Sequence, residues 1–266
     1  MDALITAGGI PLPDEPLYPN TRGGYKVMLP LAGKPMIQWV LEAVDASTTV
    51  DRVIIIGLPE LTDLKCNHEI VRINGQGDVL ANIKIGADEI LRVHPDAKKA
   101  FIISGDVPCI TGKMIDWMAE QIMQGEADVY YPVVERKDME KVFPESRRTY
   151  VHLKDGDFCS GDVLGVNPLA AGADSPLWHK ISAARKNPVQ QASILGIDTL
   201  FLLLLHQLSL EDAQNIVSKR MGIRGKVVKV LDAEMGMDVD KPFQLDMAAE
   251  YLERKQRRET GRSGRI

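Results

Sequence analysis

The chain has 266 residues, of which 45% are hydrophobic and 26% are charged, a composition typical of a globular protein with a substantial core. Its net charge is −5, and the residues from 253 onward contain six basic and two acidic side chains, which leaves −9 on the first 252 residues. An acidic body argues against a nucleic-acid-binding surface, so we expect no nucleic-acid partner.

Cysteine content and the length of the apolar runs indicate the cellular location of the protein. The three cysteines, Cys66, Cys109 and Cys159, are odd in number and widely spaced, which argues against a disulfide framework and for a reducing environment. The most apolar run, residues 200–205, is too short to span a bilayer as a helix, and no basic segment precedes a long apolar stretch at the N-terminus. We therefore expect a cytoplasmic location and no membrane partner.

Strand and helix patterns alternate along the chain. Short aliphatic runs predict strands at residues 3–6, 52–57, 100–104, 127–134 and 226–231. Apolar stripes predict helices over residues 37–44, 80–91 and 115–122. This alternation predicts an α/β fold with a mainly parallel, mixed central sheet and helices on both faces.

The region from about 135 to 222 is less regular and is interpreted as an insert. Two strands are predicted at 148–154 and 162–166 with a turn at 155–156, followed by helices at 177–186 and 191–207. Ser209 and Asp212 form a capping-box pattern for a helix that runs to about residue 220. Apolar spacing predicts a last helix that docks on the sheet through Phe243, Met247, Ala248, Tyr251 and Leu252. We expect one domain over residues 1–252 and a flexible basic tail over 253–266.

A glycine loop follows the first strand. In an open α/β sheet, ligands bind beyond the carboxyl ends of the strands. Ala7, Gly8 and Gly9 occupy that place, where small residues let backbone N–H groups approach an anion and glycine permits positive φ. The pattern predicts a phosphate-binding loop, and an ordinary tight turn is the alternative.

Two aspartates far apart in the chain are candidate metal ligands. Asp106 and Asp240 each follow an apolar, strand-like run, so we expect them at the same edge of the sheet. Carboxylates are the protein ligands that Mg²⁺ prefers in phosphate chemistry. Asp238 falls on the alternate face of an extended segment and is expected to lie behind the ligands.

Three segments resemble a known superfamily. Lys26-Val27, residues 31–38 and the segment Gly105-Asp106-Val107-Pro108 are similar to the signatures of the GT-A-like, Rossmann-like nucleotidyltransferases. This superfamily includes sugar-phosphate nucleotidyltransferases, cytidylyltransferases and the MobA-like molybdenum-cofactor guanylyltransferases. The resemblance spans roughly residues 2–252. It implies a Mg²⁺-dependent enzyme that moves a nucleoside monophosphate from a nucleoside triphosphate to a small phosphorylated acceptor and releases pyrophosphate.

The resemblance also assigns residues to roles. Lys26, Asp106 and Asp240 are expected to be catalytic, with Lys26 near the nucleotide's phosphates and the two aspartates on the metal. A solvated surface lysine is the alternative for Lys26, and Lys34 fits a helix-start position equally well. Residues expected to bind the nucleotide are Ile5, Ala7, Gly8, Gly9, Arg22, Gly75, Gln76 and Gly77. Gly161 and Asp162 are expected to bind the acceptor.

The nucleotide loop departs from the family pattern, and the candidate base site has two interpretations. Residues 10–24 are rich in proline, and Arg22 is their only arginine, so it is expected to replace the usual arginine of the loop. Gln76 can donate to and accept from a base edge, although a turn followed by a helix cap at Asp78 explains the same residues.

Two other functions are compatible with the pattern. A GT-A glycosyltransferase would use Asp238 and Asp240 with a nucleotide-sugar donor, but it has no need of Lys26 after the glycine loop. A nucleotide sensor would bind without turnover. The sequence specifies neither the base, nor the acceptor, nor the oligomeric state.

Overall fold

The computed structural model describes residues 1–58, 64–172 and 207–263. Its strands are β1 (Asp2–Thr6), β2 (Pro30–Leu31), β3 (Lys34–Pro35), β4 (Arg52–Ile56), β5 (Glu69–Ile73), β6 (Ala100–Ser104), β7 (Val129–Glu135), β8 (Val151–Leu153), β9 (Gly156–Ser160), β10 (Val163–Val166) and β11 (Gly225–Val230). Its α-helices are α1 (Tyr18–Thr21), α2 (Met36–Asp45), α3 (Val79–Val93), α4 (Gly112–Met123), α5 (Arg136–Val142), α6 (Pro168–Gly172), α7 (Leu210–Met221) and α8 (Pro242–Ser263). Short 3₁₀ helices cover Lys26–Met28 and Ala233–Gly236.

One mixed sheet organises the molecule. Its strand order is β5-β4-β1-β6-β10-β7-β9-β8, and β11 pairs with β7. The neighbours β5, β4, β1 and β6 are parallel, as the alternation of strands and helices predicts. β10 then joins antiparallel to both β6 and β7, so the sheet is mixed. The predicted fold class is confirmed.

Helices cover both faces because the central strands are apolar on both sides. Ala3 and Ile5 of β1 belong to a large core with α2, α4 and α8, whereas Leu4 belongs to a smaller core with α3. Side chains alternate between faces along a strand. A strand buried on both faces therefore reads as a continuous apolar run, which is why these strands were predictable from the sequence.

The insert differs from its prediction. The strand expected at 148–154 is shorter, Val151–Leu153, and β9 was missed. β9 contains glycine and aspartate and has little strand character of its own, but it pairs with β8 on one side and with β7 on the other. Tertiary pairing overrides local preference there. The helix expected at 177–186, and that at 191–207 apart from its last residue, lie outside the described residues.

The C-terminal elements follow the predicted pattern. The capping box of α7 forms: the Ser209 hydroxyl accepts from the Asp212 N–H at 3.1 Å, and the Asp212 carboxylate accepts from the Ser209 N–H at 3.4 Å. α8 buries Ala248 and Leu252, and it continues to Ser263 across the boundary expected at residue 252. The domain boundary and the flexibility of the tail stay predictions. Among the described residues, no helix has the length and apolar character needed to cross a membrane.

Candidate active site

Lys26 lies at the centre of the site. Its backbone N–H donates to the carbonyl oxygen of Gly9 at 2.8 Å, which fixes the 3₁₀ helix beside the glycine loop. Its Nζ lies 2.5 Å from an oxygen of Asp106 and 2.7 Å from an oxygen of Asp240. The surface-lysine alternative is wrong, because the side chain is only 16% exposed. Burial alone would lower the pKa of Lys26, but the charges of Asp106 and Asp240 outweigh burial and raise it.

Asp106 is held at the carboxyl end of β6. The Ser104 hydroxyl donates to its Oδ1, and the Gly105 N–H donates to the carbonyl of Thr6 at 2.9 Å. A Cβ on Gly105 would lie only 3.0 Å from that carbonyl oxygen, so glycine is needed for β6 to turn this close to β1. The predicted position at the sheet edge is confirmed for Asp106.

Asp240 reaches the site by a different route from the expected one. It does not directly follow a strand, because β11 ends at Val230 and the 3₁₀ helix Ala233–Gly236 intervenes. The loop is instead tied to the site by its backbone: the Val239 N–H donates to the Asp106 carbonyl at 3.0 Å. The Asp240 N–H donates to Oε1 of the buried Gln244 at 2.9 Å. The two aspartates still meet, as the sequence analysis expected.

Asp162 adds a third carboxylate to the same region. It lies between β9 and β10, where its N–H donates to the Met235 carbonyl and its own carbonyl accepts from Ser104. Its Oδ2 is buried and has no hydrogen-bond partner among the described residues. Burial raises the pKa of Asp162 to about 7; the charges of Asp106 and Asp240 add to this effect, whereas Arg148 and Lys26 oppose it. Asp162 is therefore electrostatically coupled to the carboxylates that pair with Lys26.

Gly161 has a packing reason to be glycine. A Cβ there would lie 3.0 Å from the Pro132 side chain and 3.2 Å from the Met235 carbonyl oxygen. Its N–H donates to the Pro132 carbonyl at 2.8 Å. Acceptor binding by Gly161 and Asp162 stays a prediction.

Asp238 lies behind Asp240 and forms an ion pair with Arg148. Both side chains are largely buried, at 16% and 10% exposure. Because the Arg148 guanidinium neutralises Asp238, the pair supports the position expected for Asp238 behind the candidate ligands. Nothing in the sequence pattern identified Arg148 as its partner.

The glycine loop is arranged differently from the prediction. Ile5 is fully buried between β4 and β6, so its side chain cannot contact a nucleotide. Ala7 is also buried, and its N–H donates to the Ile56 carbonyl at 2.8 Å, so it is not free for a phosphate. Neither Gly8 nor Gly9 has the expected positive φ. Their own N–H groups have no backbone acceptor among the described residues, and phosphate binding by Gly8 and Gly9 stays a prediction.

Close backbone contact explains Gly8 and brings a second loop beside it. A Cβ on Gly8 would lie 3.1 Å from Cα of Gly57, and a Cβ on Gly75 would lie 3.2 Å from the same atom. The sequence analysis missed Gly57, whose φ is +90°. These three glycines follow the neighbouring strands β1, β4 and β5. The structure thus brings the candidate base-reading loop next to the glycine loop.

The candidate base-reading residues lie in a turn that caps α3. Gln76 is exposed, its N–H donates to Oδ1 of Asn82 at 2.7 Å, and Gly77 has a φ of +84°. The Asp78 side chain accepts from the N–H groups of Leu80 and Ala81, which confirms the helix cap. Nε2 of Gln76 donates to the Asn74 carbonyl at 3.2 Å, and base reading by Gly75, Gln76 and Gly77 stays a prediction.

Neither Arg22 nor Lys34 pairs with the cluster formed by Lys26, Asp106 and Asp240. Arg22 is exposed at the end of α1, with a φ of +49°. It does not line the cavity beside Lys26, and its contact with a nucleotide stays a prediction. Lys34 forms an ion pair with Glu42, and its Nζ lies 3.3 Å from the ring centroid of Trp39. This supports the helix-start role of Lys34.

Two cavities lie in this part of the molecule, and the first is lined by Lys26 and Asp240. We call the first the glycine-loop cavity; it measures about 470 Å³ and is lined by Gly9, Ile10, Pro11, Glu15, Pro16, Leu17, Lys26, Asp240 and Lys241. We call the second the arginine cavity; it measures about 760 Å³ and is lined by Arg136, Glu140, Pro144, Glu145, Arg147, Arg148, Tyr150 and His152. The sequence analysis missed Lys241 and the arginines. The one available signal was that Lys241 directly follows Asp240.

Comparison with known proteins identifies the family. The family model of the MobA-like NTP transferase domain matches residues 20–192. A 3-deoxy-manno-octulosonate cytidylyltransferase of Synechococcus elongatus is 32% identical over 114 residues, which cover 41% of this chain and 45% of that protein. A probable molybdenum cofactor guanylyltransferase of Thermococcus kodakarensis is 23% identical over 110 residues, which cover 41% of this chain and 52% of that protein. The chain thus spans about half the length of these curated relatives.

A solved structure extends the likeness to nearly the whole chain. It is described as a hypothetical transferase from Thermus thermophilus, is 26% identical, and superposes with a TM-score of 0.77 over 92% of this chain and 98% of its own. The match to the family model covers more than half of the 266 residues and includes Lys26, Asp106 and Asp162. The chain belongs to the MobA-like NTP transferase domain family.

Proposed function

We propose that this protein is a Mg²⁺-dependent nucleotidyltransferase that moves a nucleoside monophosphate from a nucleoside triphosphate to a small phosphorylated acceptor. One observation carries the proposal. Asp106 and Asp240 come from distant parts of the chain, and each has a carboxylate oxygen within 2.7 Å of the Lys26 ammonium group. A site that holds both an ammonium and carboxylates suits a triphosphate with its metal. Membership of the NTP transferase family supports the same reading.

The glycine-loop cavity is the proposed triphosphate site. Gly9, Lys26 and Lys241 line it, so a glycine of the loop and two cationic residues border the same space. The volume of about 470 Å³ is within the range of small-molecule sites. Glu15 also lines the cavity, and its carboxylate would repel phosphates, so we expect the segment around it to move aside when a nucleotide binds.

The carboxylates fit a divalent cation. The bonded oxygens of Asp106 and Asp240 lie 2.5 and 2.7 Å from Nζ of Lys26, and hence no more than 5.2 Å apart. Within the described ranges, no group of three His, Cys, Asp or Glu side chains is arranged to hold a metal ion. Mg²⁺ in phosphate chemistry typically takes one or two carboxylates and completes its shell with substrate phosphates and water.

The proposed reaction is an in-line displacement. Bound by Asp106 and Asp240, Mg²⁺ would neutralise triphosphate charge. An anionic oxygen of the acceptor's phosphate forms a bond to the α-phosphorus, the bond from that phosphorus to the oxygen bridging the β-phosphate breaks, and pyrophosphate leaves with the electron pair. No proton has to be removed from an ionised phosphate. The residues therefore act by position and charge, with Lys26 stabilising negative charge that grows on the phosphates.

Pyrophosphate release tests the proposal. The protein is incubated with each of the four ribonucleoside triphosphates, Mg²⁺ and a panel of sugar monophosphates, and we expect acceptor-dependent pyrophosphate from one triphosphate. Asp106→Ala should reduce that turnover by about 10²- to 10³-fold, the scale of losing a preorganised electrostatic group, with the fold retained by circular dichroism. Normal turnover in a folded Asp106→Ala protein would remove the assignment. Activity with nucleotide-sugars and no pyrophosphate would favour a glycosyltransferase.

A further inference from the structure

The proposed triphosphate site leaves the arginine cavity unexplained. It measures about 760 Å³ and lies between α5, the loop that follows α5 and strand β8. That volume suits a drug-sized molecule. It is lined by three arginines and two glutamates, so its charge depends on which of these side chains are already neutralised.

Two of the three arginines are neutralised by protein carboxylates. Arg136 lies 2.7 Å from Glu140 and 3.5 Å from Asp157, and Arg148 is paired with Asp238. Arg147 has no recorded carboxylate partner in the described part of the chain. Glu145, two residues before it, is exposed, and its charge remains in water. Arg147 is therefore the cation in this cavity that can pair with a ligand anion without breaking an ion pair within the protein.

The backbone around Arg147 is strained and fixed to the catalytic cluster. Glu145 and Arg147 have φ values of +61° and +50°, which non-glycine residues rarely adopt and which cost about 1 kcal/mol or more each. Between them, the Ser146 carbonyl accepts from Nε2 of Gln244 at 3.3 Å, and Oε1 of the same amide holds the Asp240 N–H. The loop is thus positioned relative to Asp240 by one buried glutamine, and such strain is typical of functional sites.

Phe243 lies near one cation from each cavity. Cζ of Arg147 lies 5.4 Å from the centroid of its ring, and Nζ of Lys241 lies 6.0 Å from the same centroid. Arg147 lines the arginine cavity and Lys241 lines the glycine-loop cavity. Arg147 is therefore on the side of the arginine cavity that is nearer to the segment of Asp240.

Buried polar groups lie behind the cavity wall. Ser146 Oγ, Arg148 Nε and the Tyr150 hydroxyl are buried, and Ser146 and Tyr150 share a side-chain hydrogen bond. Arg148 and Tyr150 line the cavity, and Arg148 is nine-tenths buried. The cavity wall is therefore polar, as a phosphorylated ligand requires.

We propose that the arginine cavity is the acceptor site and that Arg147 binds the acceptor's phosphate beside Asp240. This inference rests on the proposed nucleotidyl transfer and adds a location for the acceptor's phosphate, which differs from the predicted Gly161 and Asp162 because neither residue lines this cavity. A planar guanidinium that can donate two parallel hydrogen bonds suits a phosphate monoester. Arg147 positions the attacking group, while Arg148 remains paired with Asp238.

The test uses methyl phosphate as the probe. Its binding to the full chain is measured by saturation-transfer NMR, with the triphosphate site filled by the α,β-methylene analogue of the triphosphate that most raises Tm. The variant is Arg147→Asn, because asparagine tolerates the positive φ of this position while the guanidinium and its charge are removed. Arg147→Lys keeps a cation. Arg92→Gln is the matched control, since Arg92 is an exposed arginine on α3 that lines neither cavity.

We expect methyl phosphate to bind about tenfold more weakly to Arg147→Asn, the loss of one charge-assisted hydrogen-bonded contact. Binding should be partly restored in Arg147→Lys and unchanged in Arg92→Gln. Acetate should bind more weakly than methyl phosphate. Equal binding of methyl phosphate to wild type and Arg147→Asn, no binding to either, or equal binding of acetate would overturn the inference. If no triphosphate raises Tm, the proposed function fails instead, and the titration without nucleotide still decides the role of Arg147.

Discussion

Lys26 occupies the position between two carboxylates where a divalent cation would also be stable. Its Nζ contacts Asp106 at 2.5 Å and Asp240 at 2.7 Å. The sequence predicted all three residues, because each lies in a recognisable segment. It did not predict their mutual contact, since the lysine was expected on the phosphates. Without a nucleotide, the carboxylates are the strongest anions available, so the ammonium pairs with them. Phosphate binding by Lys26 then requires a change of partner.

The first prediction compares Lys26 with Lys34. Lys26→Ala should lower kcat by about 10²-fold or more while changing nucleotide affinity less, because charge that grows in the transition state is stabilised differentially. Lys34→Ala should leave kcat nearly unchanged, since Lys34 is engaged with Glu42 and Trp39. Steady-state kinetics on both folded variants provides the measurement. Small and equal effects would mean that the signature is structural.

The second prediction concerns the metal without catalysis. Lys26→Met removes an ammonium that competes for Asp106 and Asp240, so the nucleotide-free variant should bind Mn²⁺ about tenfold more tightly than wild type. Lys34→Met should not change Mn²⁺ affinity. Titration followed by electron paramagnetic resonance measures the free ion directly. Weaker or unchanged Mn²⁺ binding in Lys26→Met would show that the two aspartates are not the metal ligands.

At the scale of elements, the candidate site depends on how loops are tied to strands. The sequence correctly placed Asp106 after β6, because an apolar run followed by Ser-Gly-Asp is a local signal. It misplaced the route to Asp240, since the 3₁₀ helix Ala233–Gly236 has no local signal and is held by contacts with β7 and α5. Gly57 was missed for a similar reason: its role is contact with Gly8 across neighbouring strands. Such contacts depend on strand order, which periodicity does not encode.

The third prediction tests an ion pair that joins β7, β10 and β11. The Asp128 carboxylate accepts from the Arg224 side chain at 2.8 and 3.1 Å and from its N–H at 3.0 Å. The Asp128 carbonyl accepts from the N–H of Asn167, just after β10. The side-chain hydrogen bonds from Arg224 lower the pKa of Asp128 to about 2 from 3.8, against the effect of burial.

A carboxylate whose pKa is lower in the folded state than in the unfolded state stabilises the fold at pH values above its unfolded pKa. The contribution of Asp128 should be complete above about pH 5 and be lost as the pH falls from about 4 to about 2. Asp128→Asn should therefore lower the free energy of unfolding by about 2 kcal/mol at pH 7 and have little effect at pH 2. Denaturant melts at several pH values measure this. Asp14→Asn is the control, because Asp14 is exposed. A pH-independent difference would contradict the assignment.

At the scale of the whole molecule, the parallel half was predicted more accurately than the insert, where β8 is shorter than expected and β9 was missed. The strands β1, β4 and β6 are buried on both faces, so their apolar runs identify them without knowledge of their neighbours. By contrast, β9 is a strand because it pairs with β7 and β8. Its glycine and aspartate are unfavourable for a strand in isolation. The arginine cavity lies beside β8 in the insert. The proposed acceptor site is therefore in the part of the molecule that was less predictable from the sequence.

The last prediction concerns the C-terminal segment. α8 docks through Ala248 and Leu252, whereas Arg254 and Arg257 are exposed and form ion pairs with Glu250 and Glu253 one turn away. Exposed pairs of this spacing contribute little. Deleting residues 257–266 should therefore shift Tm by less than about 2 °C and leave nucleotide binding intact, since surface changes are usually within about 0.5 kcal/mol.

Leu252→Ala is the matched control, because it shortens a side chain that is 1% exposed in the large core. It should cost about 2–5 kcal/mol and lower Tm by several degrees. Calorimetry on both variants separates the docked turns of α8 from the solvated ones. A loss of several degrees on deletion would place the basic segment in the packed part of the molecule. In that case the basic tail would be bound by the negatively charged surface of residues 1–252 and would not be solvated, contrary to our expectation.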